Sequence, residues 1–159
     1  AEELDAIGEL KDYALSTYVP YTVWEEKDLF LNSINGINDI NYFGYFDADT
    51  EGAEEAIASL NDGKYVIVTQ VLRSKLKLQL GDTILLPIEG VKYPFEITGF
   101  VDTTYEIGHL VYVSNTQLSK ITTRAFKSYF LRSVHDSIQL KNRLLSRWAG
   151  RIDFINTRE

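Results

Sequence analysis

Two kinds of residue in this chain of 159 have types and spacings that invite chemistry: a short acidic run and two histidines. The run Asp47-Ala48-Asp49-Thr50-Glu51-Gly52 opens like a calcium loop, with oxygen donors at alternate positions and a glycine sixth. The bidentate glutamate that closes such a loop belongs at the twelfth position, where Ala58 stands, and the fifth position holds Glu51 where Asp or Asn is wanted. The run reads instead as the acidic start of a helix, where carboxylates meet the helix dipole favourably, and no metal site is expected. His109 and His135 are the sole imidazoles, and neither has a second histidine or a carboxylate at metal or triad spacing. Both read as surface histidines. The chain has no cysteine, which removes thiolate nucleophiles, disulfides and Cys-based metal sites. It also lacks a G-x-S-x-G elbow, a phosphate-cradling glycine loop and H-E-x-x-H. No catalytic residue and no cofactor is expected, so the chain reads as something other than an enzyme.

Aromatic residues are a different signal. Tyr13, Tyr18, Tyr21, Trp24, Phe30, Tyr42, Phe43, Tyr45 and Phe46 crowd the first third. In an extended strand Tyr42 and Phe46 point one way while Phe43 and Tyr45 point the other. A sheet covered on both faces accounts for this, and so does an exposed platform. On the second reading Tyr42, Phe43, Tyr45 and Phe46 are candidate partner-contact residues.

The elements that must position these residues follow from patterning. A chain of this length fits one domain, or two small lobes sharing a core. Hydrophobic residues at 45% and charged residues at 25% exclude disorder. A net charge of −7 and a pI near 4.9 argue against nucleic acid as a partner. Charge is unevenly spread: residues 1–63 hold 15 acidic and 2 basic side chains, residues 64–119 hold 5 of each, and residues 120–159 hold 3 and 9. The two ends therefore carry opposite fields. The absence of methionine suggests a processed piece of something longer, and no stretch approaches the roughly 20 apolar residues that span a bilayer.

Residues 2–10 are expected to form a short amphipathic helix, and residues 13–24 an edge-like strand interrupted by Pro20. Residues 28–34 and 37–46 flank Asn35-Gly36, the dipeptide expected at a hairpin turn. Asp49 or Thr50 can cap a helix bearing Ala53, Ala56, Ile57 and Leu60, closed by Gly63. Then come a strand over 64–70, a short helix with Leu72 and Leu76, a strand over 83–87, the Glu89-Gly90 turn, and a strand over 93–102. That last strand is expected to place Phe95, Ile97, Gly99 and Val101 on one face. Residues 110–113 add a strand, and Ser114 with Gln117 has capping-box spacing. The end reads as strand 128–132, a helix with Val134, Ile138, Leu145 and Trp148 as its apolar stripe, Gly150 as its stop, and a closing strand over 151–156.

The stretch Asn61 to Val101 resembles the extracytoplasmic domain of FtsX-like, or MacB-type, ABC transporter permeases. The shared phrases are L-x-L-G-D-x-I-x-L, here Leu78, Leu80, Gly81, Asp82, Ile84 and Leu86, and F-x-I-x-G-x-V, here Phe95, Ile97, Gly99 and Val101. The leading acidic and aromatic segment and the closing strand-helix-strand extend the likeness over nearly the whole chain. The resemblance implies an α+β fold with a membrane-proximal α/β lobe built from both chain ends, residues 1–62 plus 124–159, similar to a porter subdomain. A small β-rich lobe, residues 63–123, would be inserted and similar to a sabre subdomain. It implies a non-catalytic module on the extracellular or periplasmic side of a cell membrane. Its implied partners are the parent transmembrane helices, a cytoplasmic ATP-binding subunit or domain acting at a distance, a second copy in a transporter dimer, and a peptide, lipid or protein cargo. A secreted peptide- or glycan-binding module using an aromatic sheet face is the alternative, and a subunit of a larger enzyme is a second one.

Overall fold

The computed structural model describes residues 7–8, 10–25, 27–35, 45–46, 50, 52–103, 108–123, 126–134 and 137–151. The chain forms two compact units, one of Ala1–Ala14 with Tyr129–Glu159, the other of Leu15–Ser128. In chain order the elements are β1 (Leu10–Trp24), β2 (Lys27–Asn35), β3 (Tyr45–Phe46), α1 (Ala53–Ser59), a 3-10 turn (Leu60–Asp62), β4 (Tyr65–Thr69), α2 (Gln70–Leu76), β5 (Thr83–Ile88), β6 (Val91–Asp102), β7 (Leu110–Val113), α3 (Asn115–Ile121), β8 (Phe126–Ser133) and α4 (Ser137–Arg147). The expected α+β class is what the chain adopts. Both the two units and the two lobes drawn from the sequence join the chain ends, and they divide residues 15–62 and 124–128 differently.

In the larger unit the strand order is β3-β6-β4-β7-β2-β1, with β5 paired to the first half of β6. β4 lies parallel to β6 and antiparallel to β7, and β2 runs parallel to β7. Val66, Ile67, Val68 and Thr69 are all buried, because β4 is covered on both faces and an alternating pattern has no polar side to show. β5 and β6 form a two-residue hairpin: Ile88 pairs with Val91, and Glu89 and Gly90 take φ of 50° and 83°, the left-handed pair that matches strand twist. Pro87 and Pro94 fall at positions that need no donor toward the paired strand, which is where a strand tolerates proline.

Two irregularities reassign side chains. Val66 pairs with Ile97 and Ile67 with Gly99, so Thr98 is an extra residue in β6. Phe95 and Ile97 share the main core with Phe100, while Gly99 turns to Thr50 and Ala56 on the other face. The expected single face of Phe95, Ile97, Gly99 and Val101 is thus broken at Thr98. In β1 the register against β2 shifts between Val19 and Thr22, around Pro20, and the change of parity lets Val19 and Trp24 enter one core.

Strand pairing corrects two further expectations. β1 lies between β2 and β8 in the sheet and is not an edge strand. β2 has β1 and β7 as neighbours, so its hairpin partner precedes it, through a turn at Glu25 with φ of 50°, and Tyr45 and Phe46 pair with Asp102 and Val101 of β6. Residues 36–44 lie outside the described residues. Helix α1 buries Ala56 and Ile57, followed by Leu60 in the 3-10 turn, and Gly63 at φ 71° closes the segment as expected. Its N-cap is Gly52. Ser114 caps α3, its Oγ accepting from the Gln117 backbone N at 3.3 Å.

The smaller unit has its own cluster: Ile7, Leu140 and Leu144 are buried, with Leu10, Leu131 and Trp148 packed against them. The inward stripe is therefore Leu140 and Leu144 of α4, with the half-buried Trp148 just past its end. Of the four expected residues Trp148 packs with it, whereas Val134, Ile138 and Leu145 are exposed. Gly150 at φ 76° follows the helix, and the Arg151 N–H donates to the Trp148 carbonyl at 2.9 Å. Leu10 already belongs to β1, so a helix does not reach it; residues 1–6 and 152–156, with the rest of the expected first helix and of the closing strand, lie outside the described residues.

Candidate partner-contact site

Of the four candidate contact residues, Tyr42 and Phe43 lie outside the described residues, Tyr45 is placed by its backbone pairing, and Phe46 is half-buried. The structure therefore brings Tyr45 and Phe46 to the end of β6, beside the phrase containing Gly99. That junction is built from below. A side chain at Gly99 would put its Cβ 3.0 Å from Thr50 Cγ2 and 3.2 Å from Ala56 Cβ, so the glycine lets α1 approach β6 closely. The Thr50 hydroxyl accepts from the Phe100 backbone N at 3.0 Å and lies 3.2 Å from the Phe100 carbonyl as its donor. The hydroxyl that could have capped a helix is thus spent on β6. Asp47, Asp49 and Glu51 lie outside the described residues, as does His135. His109 is half-buried, with its Nε2 2.7 Å from Lys75 Nζ, which orients the ring for accepting from the ammonium. No group of three or more potential metal ligands occurs among the described residues.

The second phrase is equally structural. Gly81 takes φ of 83°; its N–H donates to the Ile97 carbonyl at 2.9 Å, and the Ile97 N–H donates to the Asp82 carbonyl at 2.9 Å. The Asp82 carboxylate accepts from the Gln79 N–H at 2.7 Å, which tightens the turn into β5. Leu78 and Leu80 pack on the core, and Ile84 and Leu86 are inside it. Both phrases frame β5 and β6, and neither supplies a reactive group.

What sequence reasoning missed is on the outside. Leu85 and Val91 are about half exposed at 49% and 54% on the β5–β6 hairpin, and Ile138 is 56% exposed on α4. The signal for Leu85 was present: Ile84, Leu86 and Ile88 alternate with it, and only one parity of a strand can face the core. No helix among the described residues is long and apolar enough to cross a membrane.

Compared with known proteins, the chain matches no family model and no curated protein sequence. Solved structures do match. The periplasmic region of MacB from Actinobacillus actinomycetemcomitans superposes with a TM-score of 0.63 at 15% identity, over 92% of this chain and 70% of that one. The extracellular domain of the noncanonic ABC-type transporter YknZ from Gram-positive bacteria gives 0.62 at 20% identity, over 92% and 80%. A domain of a putative permease protein from Porphyromonas gingivalis gives 0.55 at 13% identity, over 94% and 68%. At these identities the likeness is one of fold, and it is the fold that the sequence resemblance implied.

Proposed function

We propose that this chain is the extracytoplasmic domain of an FtsX-like ABC transporter permease, a non-catalytic module that relays ATP-driven movement of flanking transmembrane helices to a cargo or partner outside the cell membrane. The observation that carries this reading is the likeness of fold over 92% of the chain to the MacB and YknZ domains. Two lobes suit a relay: residues 1–62 with 124–159 as the membrane-proximal lobe and residues 63–123 as the inserted β-rich one. The partners are the parent transmembrane helices, a cytoplasmic ATP-binding subunit or domain, and a second permease in the assembled transporter, with Tyr42, Phe43, Tyr45 and Phe46 offered to a peptide, lipid or protein. The secreted-module alternative is not favoured, since the three neighbours described are transporter or permease domains.

A chain without cysteine gives a clean test. Leu85→Cys, placed at a half-exposed strand position, is introduced into the full parent protein otherwise freed of cysteine and treated with a membrane-impermeant maleimide. Labelling in intact cells is expected, at a rate that changes when the ATPase is trapped with nucleotide. Labelling only after lysis would sink the extracytoplasmic placement, and a rate indifferent to nucleotide would sink the relay.

A further inference from the structure

We propose that α3 is a strut coupling β1 to the tip of the β5–β6 hairpin, so that displacement of one is felt at the other. Every residue concerned belongs to the larger unit. At the start of the helix Asn115 Oδ1 accepts from Thr17 Oγ1 of β1 at 2.5 Å, across 98 residues of sequence. Just past its end Thr122 Oγ1 donates to Glu89 Oε1 at 2.5 Å, across 33 residues, and Glu89 is the first turn residue of the hairpin.

Neither bond is needed to finish the helix. Its first turn is capped by Ser114, and the Thr122 N–H closes its last turn on the Leu118 carbonyl at 3.0 Å. The side-chain bonds reach outward from a helix already complete. Thr17 is 1% exposed, so severing its bond leaves a hydroxyl with little access to water, a penalty that keeps β1 attached when its neighbour moves. Beneath the helix Leu118 is fully buried and Ile121 packs on the core that holds Ile84, Leu86 and Ile88 of the hairpin. Seven residues make a body about 10 Å long that moves as one piece. β1 extends from Leu10, in the smaller unit, through Thr17. The strut thus deepens the relay reading, and its role in transport rests on that reading. The coupling itself is a property of this chain alone, and by linkage it acts equally in both directions.

Hydrogen exchange of the chain, followed by mass spectrometry, tests it separately from any transporter assay. Thr122→Val is expected to raise exchange at the hairpin tip, residues 88–92, about tenfold, the effect of losing one charge-assisted bond. Thr17→Val touches neither the hairpin nor the end of α3, yet is expected to raise exchange at the same tip severalfold, with less than the product of the two effects in the double variant. Exchange in β4 should stay unchanged. Asn115→Ala, which removes the acceptor from the helix side, must reproduce Thr17→Val and stands in for it if that variant does not fold. A tip indifferent to Thr17→Val and Asn115→Ala, effects that multiply independently, or an equal rise in β4 would each overturn the strut. Failure here would leave the extracytoplasmic relay standing, and failure of the maleimide test would leave the strut standing.

Discussion

The two units bury apolar residues in opposite ways. The larger one encloses Leu72, Leu86, Phe100 and Leu118 with no exposed surface, between a mixed sheet and short helices, using β-branched and aromatic residues from at least five strands. The smaller one centres on Ile7, Leu140 and Leu144, and leaves Val134, Ile138 and Leu145 of the same region in solvent. A core supplied from many sides tolerates no vacancy. Among the described residues the smaller unit's cluster, drawn from α4 and from Ile7, Leu10 and Leu131, is the smaller of the two and can close over a loss, and the exposed apolar residues beside it contribute little.

The largest expected effect is therefore Phe95→Ala. It removes a fully packed ring beside Ile97 and Phe100 and should cost about 3–5 kcal/mol in urea denaturation, with Leu144→Ala lying lower, near 2 kcal/mol. Equal losses would erase the contrast between the units. Next comes Gly99→Val, which drives a branched side chain into Thr50 and Ala56 and should cost about 1–3 kcal/mol. Ala56→Gly in the same background should recover part of that loss, and no recovery would mean that contact with α1 is not its cause. Smallest is Ile138→Ser, at a position 56% exposed, expected within about 0.5 kcal/mol of the parent. A loss well beyond that would show Ile138 covered in solution and sharpen the difference between the two clusters.

The middle of the chain was legible because its punctuation is local. Glu89-Gly90, Gly81-Asp82 and Gly63 each need a left-handed backbone, and the elements between them have no room to be anything else. Thr98 left no such mark. A bulge inserts one residue without changing composition, so strict alternation carried Gly99 and Val101 onto the wrong face. The stripe of α4 failed for another reason: 138 and 145 satisfy helical spacing as well as 140, 144 and 148 do, and the choice is made by Ile7, Leu10 and Leu131 from distant parts of the chain. Asn35-Gly36 misled because a turn signal says nothing of which strand lies alongside, and β2 already has β1 and β7. The candidate site was legible only as composition. Aromatic crowding marked residues 42–46, and the pairing of Tyr45 and Phe46 with β6 is a long-range fact that no local window holds.

The union of both chain ends in the smaller unit governs the order in which the molecule can assemble. Ile7 and Leu144 cannot meet until every residue between them has been made, whereas β4, β5, β6 and β7 are complete within about a third of that stretch. Closing a free loop of that length carries an entropic cost that grows with the logarithm of the number of residues. Once the larger unit is in place the loop is no longer free, because the chain passes between the units within β1 and within β8, which are neighbours in the sheet. Refolding should accordingly be sequential, with the smaller unit acquiring its protection last. During synthesis Ile7 and Leu10 must wait for Leu140 and Leu144 to emerge before they can be covered.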